Sequence, residues 1–291
     1  MRTRLLLGVV ALVSAVLLAG CQSSPPAPGA TTTGGVTVDV EKSIAYEQVD
    51  GKDLDLDACI PKDDSAGPFP AVILIHGGAF QEGSRSNMLS LCGELAKDGL
   101  AAFAIDYRLL PASFPAQAED TATAVDWLRE TAQTDRFNLS GDIALLGSSA
   151  GGIIALTAAD ALAKSGSPVS AVVTLSAAGD LTSEALALGD PDPSLEEVVL
   201  SYLGCDDIDD CPQAVTASPR FNVPADTPTL LVHGSEDVIP VEQAEALEQA
   251  MREAGADVTL LVVDGERHGL QLIDNGSRVQ IRDFLVDRMS P

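Results

Sequence analysis

The sequence predicts an α/β protein: a mostly parallel central sheet with an N-terminal antiparallel hairpin, helices on both faces and a small cap insertion. Three observations predict this class. Two alternating segments joined by a turn open the folded region, continuous apolar runs recur after them, and segments with helical spacing separate these runs. Continuous apolar runs are typical of strands buried on both faces. Alternating strands and helices predict right-handed crossovers between parallel strands.

The first predicted element is the hairpin. Thr37–Val49 and Leu54–Ile60 alternate in the manner of half-buried strands, and Asp50-Gly51 between them favours a tight turn. The runs predicted as buried strands are Ala71–Ile75, Leu100–Ile105, Ile143–Leu146, Ala171–Leu175, Thr229–Val232 and Val258–Val263. The segments with helical spacing are Met88–Lys97, Gln117–Thr131, Gly151–Ala163, Val241–Ala254 and Leu270–Arg288.

One segment interrupts the alternation of strands and helices. Residues 181–226 are rich in Asp, Pro and Leu and lie between one predicted strand and the next. We interpret this segment as a small cap over the carboxyl edge of the sheet, because ligand sites of α/β proteins lie at that edge. Residues 36–291 are therefore predicted to form one domain that includes the cap.

The composition excludes two classes of protein. Hydrophobic residues make up 46% of the 291 positions, which is enough apolar mass for a core and excludes intrinsic disorder. The formal charge is −26, with 17 basic residues against 43 acidic ones. A nucleic-acid partner is excluded because a phosphate-binding surface needs clustered Lys and Arg. The spread of acidic residues along the chain predicts a solvated surface.

The N-terminus has the pattern of an export signal. Two arginines precede the uncharged apolar run Leu5–Leu18, which is short for a transmembrane helix. The run continues into Leu18-Ala19-Gly20-Cys21, which looks like a bacterial lipobox. We expect residues 1–20 to be a lipoprotein signal peptide and 21–35 to be a flexible tether that begins with lipidated Cys21. The folded domain would then be extracytoplasmic and lipid-anchored to the bacterial cell membrane. An ordinary signal peptide that ends near a cysteine is the alternative.

Four cysteines remain if Cys21 carries lipid, and an oxidising compartment would pair them. Four cysteines allow three pairings. We favour Cys205–Cys211, which would close a short acidic loop, with Cys59–Cys92 as the second bridge. Free buried thiols are the alternative. These cysteines lack the CxxC spacing and the accompanying histidines of a zinc site, so we expect no metal.

A candidate nucleophile follows the third buried run. Gly147-Ser148-Ser149-Ala150-Gly151 is a G-x-S-x-G pattern between a predicted strand and an Ala-rich helix, the context that gives this motif its meaning. So sharp a turn strains the backbone at Ser149, and side chains at positions 147 and 151 would collide. The serine oxygen would stand at the head of a helix, whose dipole favours an oxyanion. A helix-capping serine is the alternative, with Ser148 the better candidate for that role.

Glycines after the first buried run predict a place for a developing oxyanion. In His76-Gly77-Gly78-Ala79, backbone amides without bulky side chains can point into a cavity. We expect the amides of Gly78, Ala79 and Ala150 to form the oxyanion hole. His76 is expected to brace this loop through backbone hydrogen bonds rather than to act as a base.

The candidate acid and base follow the last two buried runs. Asp237 lies in a loop after Thr229–Val232, and His268 follows Val258–Val263. A serine hydroxyl needs a base that works near neutral pH, and that imidazole needs a carboxylate to hold its tautomer. The chain order Ser, Asp, His is that of the hydrolases with a G-x-S-x-G motif. Glu236 is the alternative acid, whereas His233 is expected to pack or to cap its turn.

With these residues the chain resembles the α/β-hydrolase superfamily over about residues 36–291. Within it, the sequence looks closest to the hormone-sensitive-lipase-like and feruloyl/acetyl-xylan-esterase-like carboxylesterases. The stretches Asp106–Pro111 and Phe114–Asp120 also resemble those esterases. Ala79 stands where the family's HGGG loop has a third glycine. The acid arrives within His233–Asp237 rather than in an Asp-Pro-Leu motif, which favours the feruloyl/acetyl-xylan-esterase-like branch. The resemblance implies the α/β-hydrolase fold.

The expected function is a membrane-tethered serine hydrolase that cleaves carboxylic esters through an acyl-enzyme on Ser149, without a cofactor. The expected substrate is a small-molecule or polysaccharide-linked ester. Two other functions remain open: a serine peptidase or amidase on the same fold, and a catalytically silent lipoprotein that binds a surface partner. The acyl length and the alcohol of the substrate are not determined by the sequence.

Overall fold

The computed structural model describes residues 36–62, 67–188 and 194–289. In these residues, eight strands form one sheet in the order β1-β2-β4-β3-β5-β6-β7-β8. The strands are β1 (Thr37–Val49), β2 (Lys52–Lys62), β3 (Phe69–Ile75), β4 (Ala101–Ile105), β5 (Leu139–Ser148), β6 (Ala171–Leu175), β7 (Thr229–Gly234) and β8 (Val258–Val263).

The sheet has an antiparallel end and a parallel remainder. Strand β2 pairs antiparallel with both β1 and β4, whereas all pairings from β4 through β3, β5, β6 and β7 to β8 are parallel. Asp50 and Gly51 both have positive φ, at 51° and 77°. A type I′ hairpin turn requires this conformation of its two central residues. The predicted fold class and its N-terminal hairpin are therefore confirmed.

Helices alternate with the parallel strands. The helices are α1 (Leu89–Lys97), α2 (Ala116–Arg129), α3 (Thr131–Phe137), α4 (Ala150–Lys164), α5 (Ser183–Leu186), α6 (Ser194–Leu203), α7 (Pro212–Ala217), α8 (Val241–Glu253) and α9 (Asn275–Met289). Short 3-10 helices cover Arg85–Met88, Ile208–Asp210, Pro219–Phe221 and Gly269–Leu272.

Two predicted helical segments differ from the observed ones. The segment predicted as Gln117–Thr131 corresponds to α2, which ends at Arg129; the extended ψ of 136° at Glu130 separates it from α3, which was not predicted. The segment after Leu270 contains a 3-10 helix and then α9. Asp274 separates these two because its Oδ1 accepts from the amides of Gly276 at 2.8 Å and Ser277 at 3.1 Å. A carboxylate that accepts from the first amides of a helix marks its start.

Side chains of the parallel strands alternate between two apolar layers. On β3, Ile73 and Ile75 belong to the layer that contains buried residues of α2, α4 and α8, whereas Val72 and Leu74 belong to the layer that contains those of α1 and α9. Strand β8 departs from the sequence prediction of burial on both faces. It is an edge strand, with Thr259 exposed and Val262 45% exposed.

The segment between β6 and β7 contains helices α5, α6 and α7 and packs against loops at the carboxyl edge of the sheet. The Tyr202 ring stacks on Phe80, which follows β3, with ring centroids 3.7 Å apart. The Phe114 amide donates to the Tyr202 carbonyl at 2.8 Å. The segment therefore supports the loop that follows β3. That residues 181–226 act as a cap over the substrate remains a prediction.

Both favoured disulfides are present. Cys59–Cys92 joins β2 to α1, and Cys205–Cys211 closes a loop within the segment between β6 and β7. The expected signal peptide, Cys21 and the tether lie outside the described residues. Of the helices that the structure describes, none is both long and apolar enough to cross a lipid bilayer.

Candidate active site

The three residues that the sequence singled out lie together at the carboxyl edge of the sheet. Ser149 follows β5, Asp237 follows β7 and His268 follows β8. His268 Nε2 lies 2.9 Å from Ser149 Oγ, and His268 Nδ1 lies 2.7 Å from Asp237 Oδ1. The imidazole therefore connects the hydroxyl to the carboxylate in one hydrogen-bonded chain.

Ser149 occupies a sharp turn between β5 and α4. Its φ of 54° and ψ of −122° are unfavourable for a residue with a Cβ. A Cβ at Gly147 would approach the Gly151 carbonyl oxygen to 2.0 Å, and one at Gly151 would approach the Ile75 carbonyl oxygen to 2.3 Å. Both positions therefore require glycine. The Ser149 side chain does not cap α4, because its oxygen faces His268.

Asp237 is held as a carboxylate. Its side chain is fully buried and accepts from His268, from the Ile239 amide at 3.0 Å and from Ser176 Oγ at 2.5 Å. Burial raises the pKa of the carboxyl, but the hydrogen bonds from His268, Ser176 and Ile239 outweigh it and hold the pKa below its ordinary value. An ionised Asp237 accepts the Nδ1 proton of His268, which leaves Nε2 free to accept from Ser149.

Ser176 is a site residue that the sequence analysis missed. It follows β6, the strand between those that lead to Ser149 and Asp237, and its φ of 59° is positive. Its hydroxyl donates to Asp237 and accepts from the Gly269 amide at 2.8 Å. Ser176 thus joins the Asp237 loop to the residue after His268. Its position directly after a buried parallel strand is a signal that could have identified it.

The loop after β3 approaches Ser149. Gly78 has a φ of 117°, and a Cβ there would lie 2.0 Å from the Glu82 carbonyl oxygen. Ala79 and Phe80 also have positive φ, at 51° and 61°. Gly78 and Ala79 line the same cleft as Ser149, which has a volume of about 600 Å³. The oxyanion-binding role of Gly78, Ala79 and Ala150 remains a prediction.

The other two histidines brace backbone. His76 Nδ1 lies 2.7 Å from the Gly77 carbonyl oxygen, and its ring stacks on Tyr107. His233 Nε2 lies 2.7 Å from the Ile239 carbonyl oxygen. Burial lowers the pKa of both imidazoles, so both are neutral at pH 7. Glu236, the alternative acid, is exposed, whereas Asp237 contacts His268.

No metal-binding group is found among the described residues, where no three His, Cys, Asp or Glu side chains are arranged to hold an ion. The reactive side chains that the geometry brings together are the Ser149 hydroxyl, the His268 imidazole and the Asp237 carboxylate. His268 is 34% exposed and lines the cleft, so a molecule bound there can contact both it and Ser149.

Comparison with known proteins identifies the family. The chain is 35% identical to Esterase LipC of Mycobacterium tuberculosis over 75% of its length, and 33% identical to the acetyl-hydrolase of Streptomyces hygroscopicus over 65%. It spans 57% and 64% of the lengths of these relatives. The structure of Thermogutta terrifontis esterase 2 phosphonylated by sarin superposes with a TM-score of 0.70 at 25% identity, covering 89% of this chain and 97% of that one. The BD-FAE family model matches residues 56–251, more than half of the chain. The chain therefore belongs to the BD-FAE family of α/β-hydrolase esterases.

Proposed function

We propose that this protein is a serine hydrolase that cleaves carboxylic esters through an acyl-enzyme on Ser149. The observation that carries the proposal is the hydrogen-bonded chain from Ser149 through His268 to buried Asp237. A hydroxyl aligned with an imidazole that can take its proton is an activated nucleophile. Membership of an esterase family and the esterase names of its relatives support the choice of an ester as substrate.

The proposed reaction has two halves. In the first, Ser149 Oγ bonds to the ester carbonyl carbon as His268 Nε2 takes its proton, and Asp237 stabilises the imidazolium. The tetrahedral intermediate then breaks its bond to the alcohol oxygen, which takes the proton from His268. In the second half, water gives a proton to His268 and attacks the acyl carbon. Ser149 leaves with that proton and the acid is released.

The oxyanion of each tetrahedral intermediate is proposed to accept from the amides of Gly78, Ala79 and Ala150. Gly78 and Ala79 border the cleft beside Ser149, and Ala150 begins α4. Each such donor contributes about 2.7–4 kcal/mol to stabilisation of the transition state. The proposed substrates are small-molecule esters, in line with the ester hydrolases among the relatives. A polysaccharide-linked ester also remains a candidate.

The test combines turnover with covalent labelling. Ser149→Ala should lower kcat for p-nitrophenyl acetate by about 10⁴-fold or more. A fluorophosphonate should add one mass increment to the wild-type protein and none to this variant. His268→Gln should be almost as damaging. His233→Gln should be mild, because the hydrogen-bond partner of that imidazole is the Ile239 carbonyl oxygen at 2.7 Å and Asp237 Oδ2 lies farther away, at 4.0 Å. Turnover of amides above that of esters would favour a peptidase. A wild-type protein that neither turns over esters nor takes up the label would refute the proposal.

We also propose that the protein is extracytoplasmic and anchored to the bacterial membrane by lipid on Cys21. The lipobox-like sequence that ends at Cys21 supports this proposal, as do the two disulfides, which are typical of oxidising compartments. Cys21→Ser should move the protein from the membrane fraction to the soluble fraction of its host. If wild type and variant fractionate alike, the anchor is wrong.

A further inference from the structure

A second, smaller pocket adjoins the cleft that contains Ser149. Its volume is about 190 Å³, and it shares Asn87 and Leu270 with the cleft as lining residues. Leu270 is two positions beyond His268. The two pockets therefore lie side by side, with Asn87 and Leu270 between them.

The inner wall of the second pocket is apolar. Leu91 of α1 faces Leu270 and Ile273, which lie at the two ends of the turn after His268. The Cys59–Cys92 disulfide joins α1 to β2 at the position next to Leu91, so this wall is tied to the sheet. A fixed wall of aliphatic side chains favours an apolar ligand over a polar one.

Charged groups at this pocket are already paired. Arg278 lies 3.3 Å from Glu94 and 2.9 Å from Asp98, and Lys97 lies 2.6 Å from Glu94. Among the described lining residues, Glu94 and Arg278 are the only two with charged side chains. The pocket therefore offers an ionic ligand no unpaired charge. Its remaining lining is the aliphatic set Leu91, Leu270 and Ile273 and the uncharged polar side chains of Asn87 and Ser90.

We propose that this pocket binds an unbranched aliphatic chain of the ester substrate while the scissile carbonyl lies at Ser149. This inference rests on the proposed esterase function and narrows the substrate to esters with an apolar tail. The volume corresponds to about six water-sized groups, so it suits a chain of a few carbons. Each methylene fully removed from water favours binding by about fourfold.

Two substrate series distinguish the end of the ester that carries the chain. The first contains p-nitrophenyl esters from acetate to octanoate, and the second contains acetate esters of straight-chain alcohols from ethanol to octanol. For wild type, kcat/KM should rise by about two- to fourfold per methylene in one series until the pocket is full. The series that shows this rise identifies the end of the ester that binds in the pocket. The end that is varied in the other series lies outside the pocket.

Ser90→Phe tests the pocket directly. Ser90 is an exposed residue that lines the pocket but not the cleft, so a phenyl ring there should fill the pocket without loss of core contacts. The variant should keep the wild-type kcat/KM for the shortest ester and lose the gain with chain length. Ser90→Ala should behave as wild type. Gln280→Phe, which adds the same ring at an exposed position of α9 outside the pocket, should also keep the gain.

The proposal is overturned if wild type shows no gain with chain length in either series. It is also overturned if Ser90→Phe lowers turnover of short and long esters equally, or leaves the gain intact. Failure of the esterase assignment itself would look different. In that case wild type would hydrolyse none of the esters and would not react with the fluorophosphonate.

Discussion

Replacing Ser176 by Ala should damage both hydrolysis and stability. The Ser176 hydroxyl makes two hydrogen bonds, donating to the Asp237 carboxylate and accepting from the buried Gly269 amide. A hydrogen bond to an ionised group contributes about 1.5–3 kcal/mol, and a buried amide left without an acceptor costs about 1–3 kcal/mol. Ser176→Ala should therefore lower the free energy of unfolding by about 2.5–6 kcal/mol.

The effect on hydrolysis follows from the position of Asp237. Without Ser176, one of the donors that lower the pKa of Asp237 is lost, so that pKa rises and the carboxylate is held less firmly against His268. If the variant loses the full ~1.5–3 kcal/mol of the Ser176–Asp237 hydrogen bond from the stabilisation of the transition state, kcat falls by about 10- to 150-fold. KM should change little, since Ser176 is not among the residues that line the cleft.

A second variant separates activity from stability. Ser176 has a φ of 59°, which strains any residue with a Cβ, so Ser176→Gly should regain part of the stability that Ser176→Ala loses. It should regain none of the activity, because the hydroxyl is still absent. The assays are p-nitrophenyl acetate kinetics and urea unfolding. A kcat for Ser176→Ala within about twofold of wild type would refute the reasoning.

Two further predictions concern stability. Because burial lowers the pKa of His233, the unfolded chain binds a proton below about pH 6.5 that the folded chain does not bind. The free energy of unfolding therefore decreases as the pH is lowered through that range. Urea unfolding of His233→Gln between pH 6.5 and pH 5 should show a slope shallower by up to about 1.4 kcal/mol per pH unit; a slope equal to that of wild type would contradict this. Cys59→Ala with Cys92→Ala should lower the free energy of unfolding by about 4 kcal/mol, since that bridge spans 33 residues. Cys205→Ala with Cys211→Ala should cost about 2 kcal/mol because its loop spans 6, and the reverse order would count against the loop-length argument.

Local patterns predicted much of the sheet. The run that became β6 is predicted at its observed bounds, because burial on both faces favours apolar side chains, and Thr174 is the one polar residue in it. The hairpin turn was equally predictable, since Asp50 and Gly51 adopt positive φ at low cost. The end of α2 was less predictable from the sequence. Glu130, the residue after the helix, is neither proline nor glycine, so no residue typical of a helix end marks this position.

By itself, the sequence determined the strand order along the chain and the residues to examine. It singled out Ser149, Asp237 and His268 because each follows an apolar run and carries chemistry that complements the others. Motif spacing and residue type are local properties, and a single chain displays them without coordinates. The favoured cysteine pairs were also accessible at this level, although the sequence left other pairings open.

Tertiary structure alone decided which of these segments lie close together in space. Ser149 and His268 are 119 positions apart, and only the parallel order of β5, β6, β7 and β8 brings them to 2.9 Å. The same order places Ser176 between them, where a serine after β6 becomes a donor to Asp237. The second, smaller pocket beside Leu270 is likewise formed where α1 lies against the turn after β8. Such contacts depend on how distant elements pack, which no local pattern encodes.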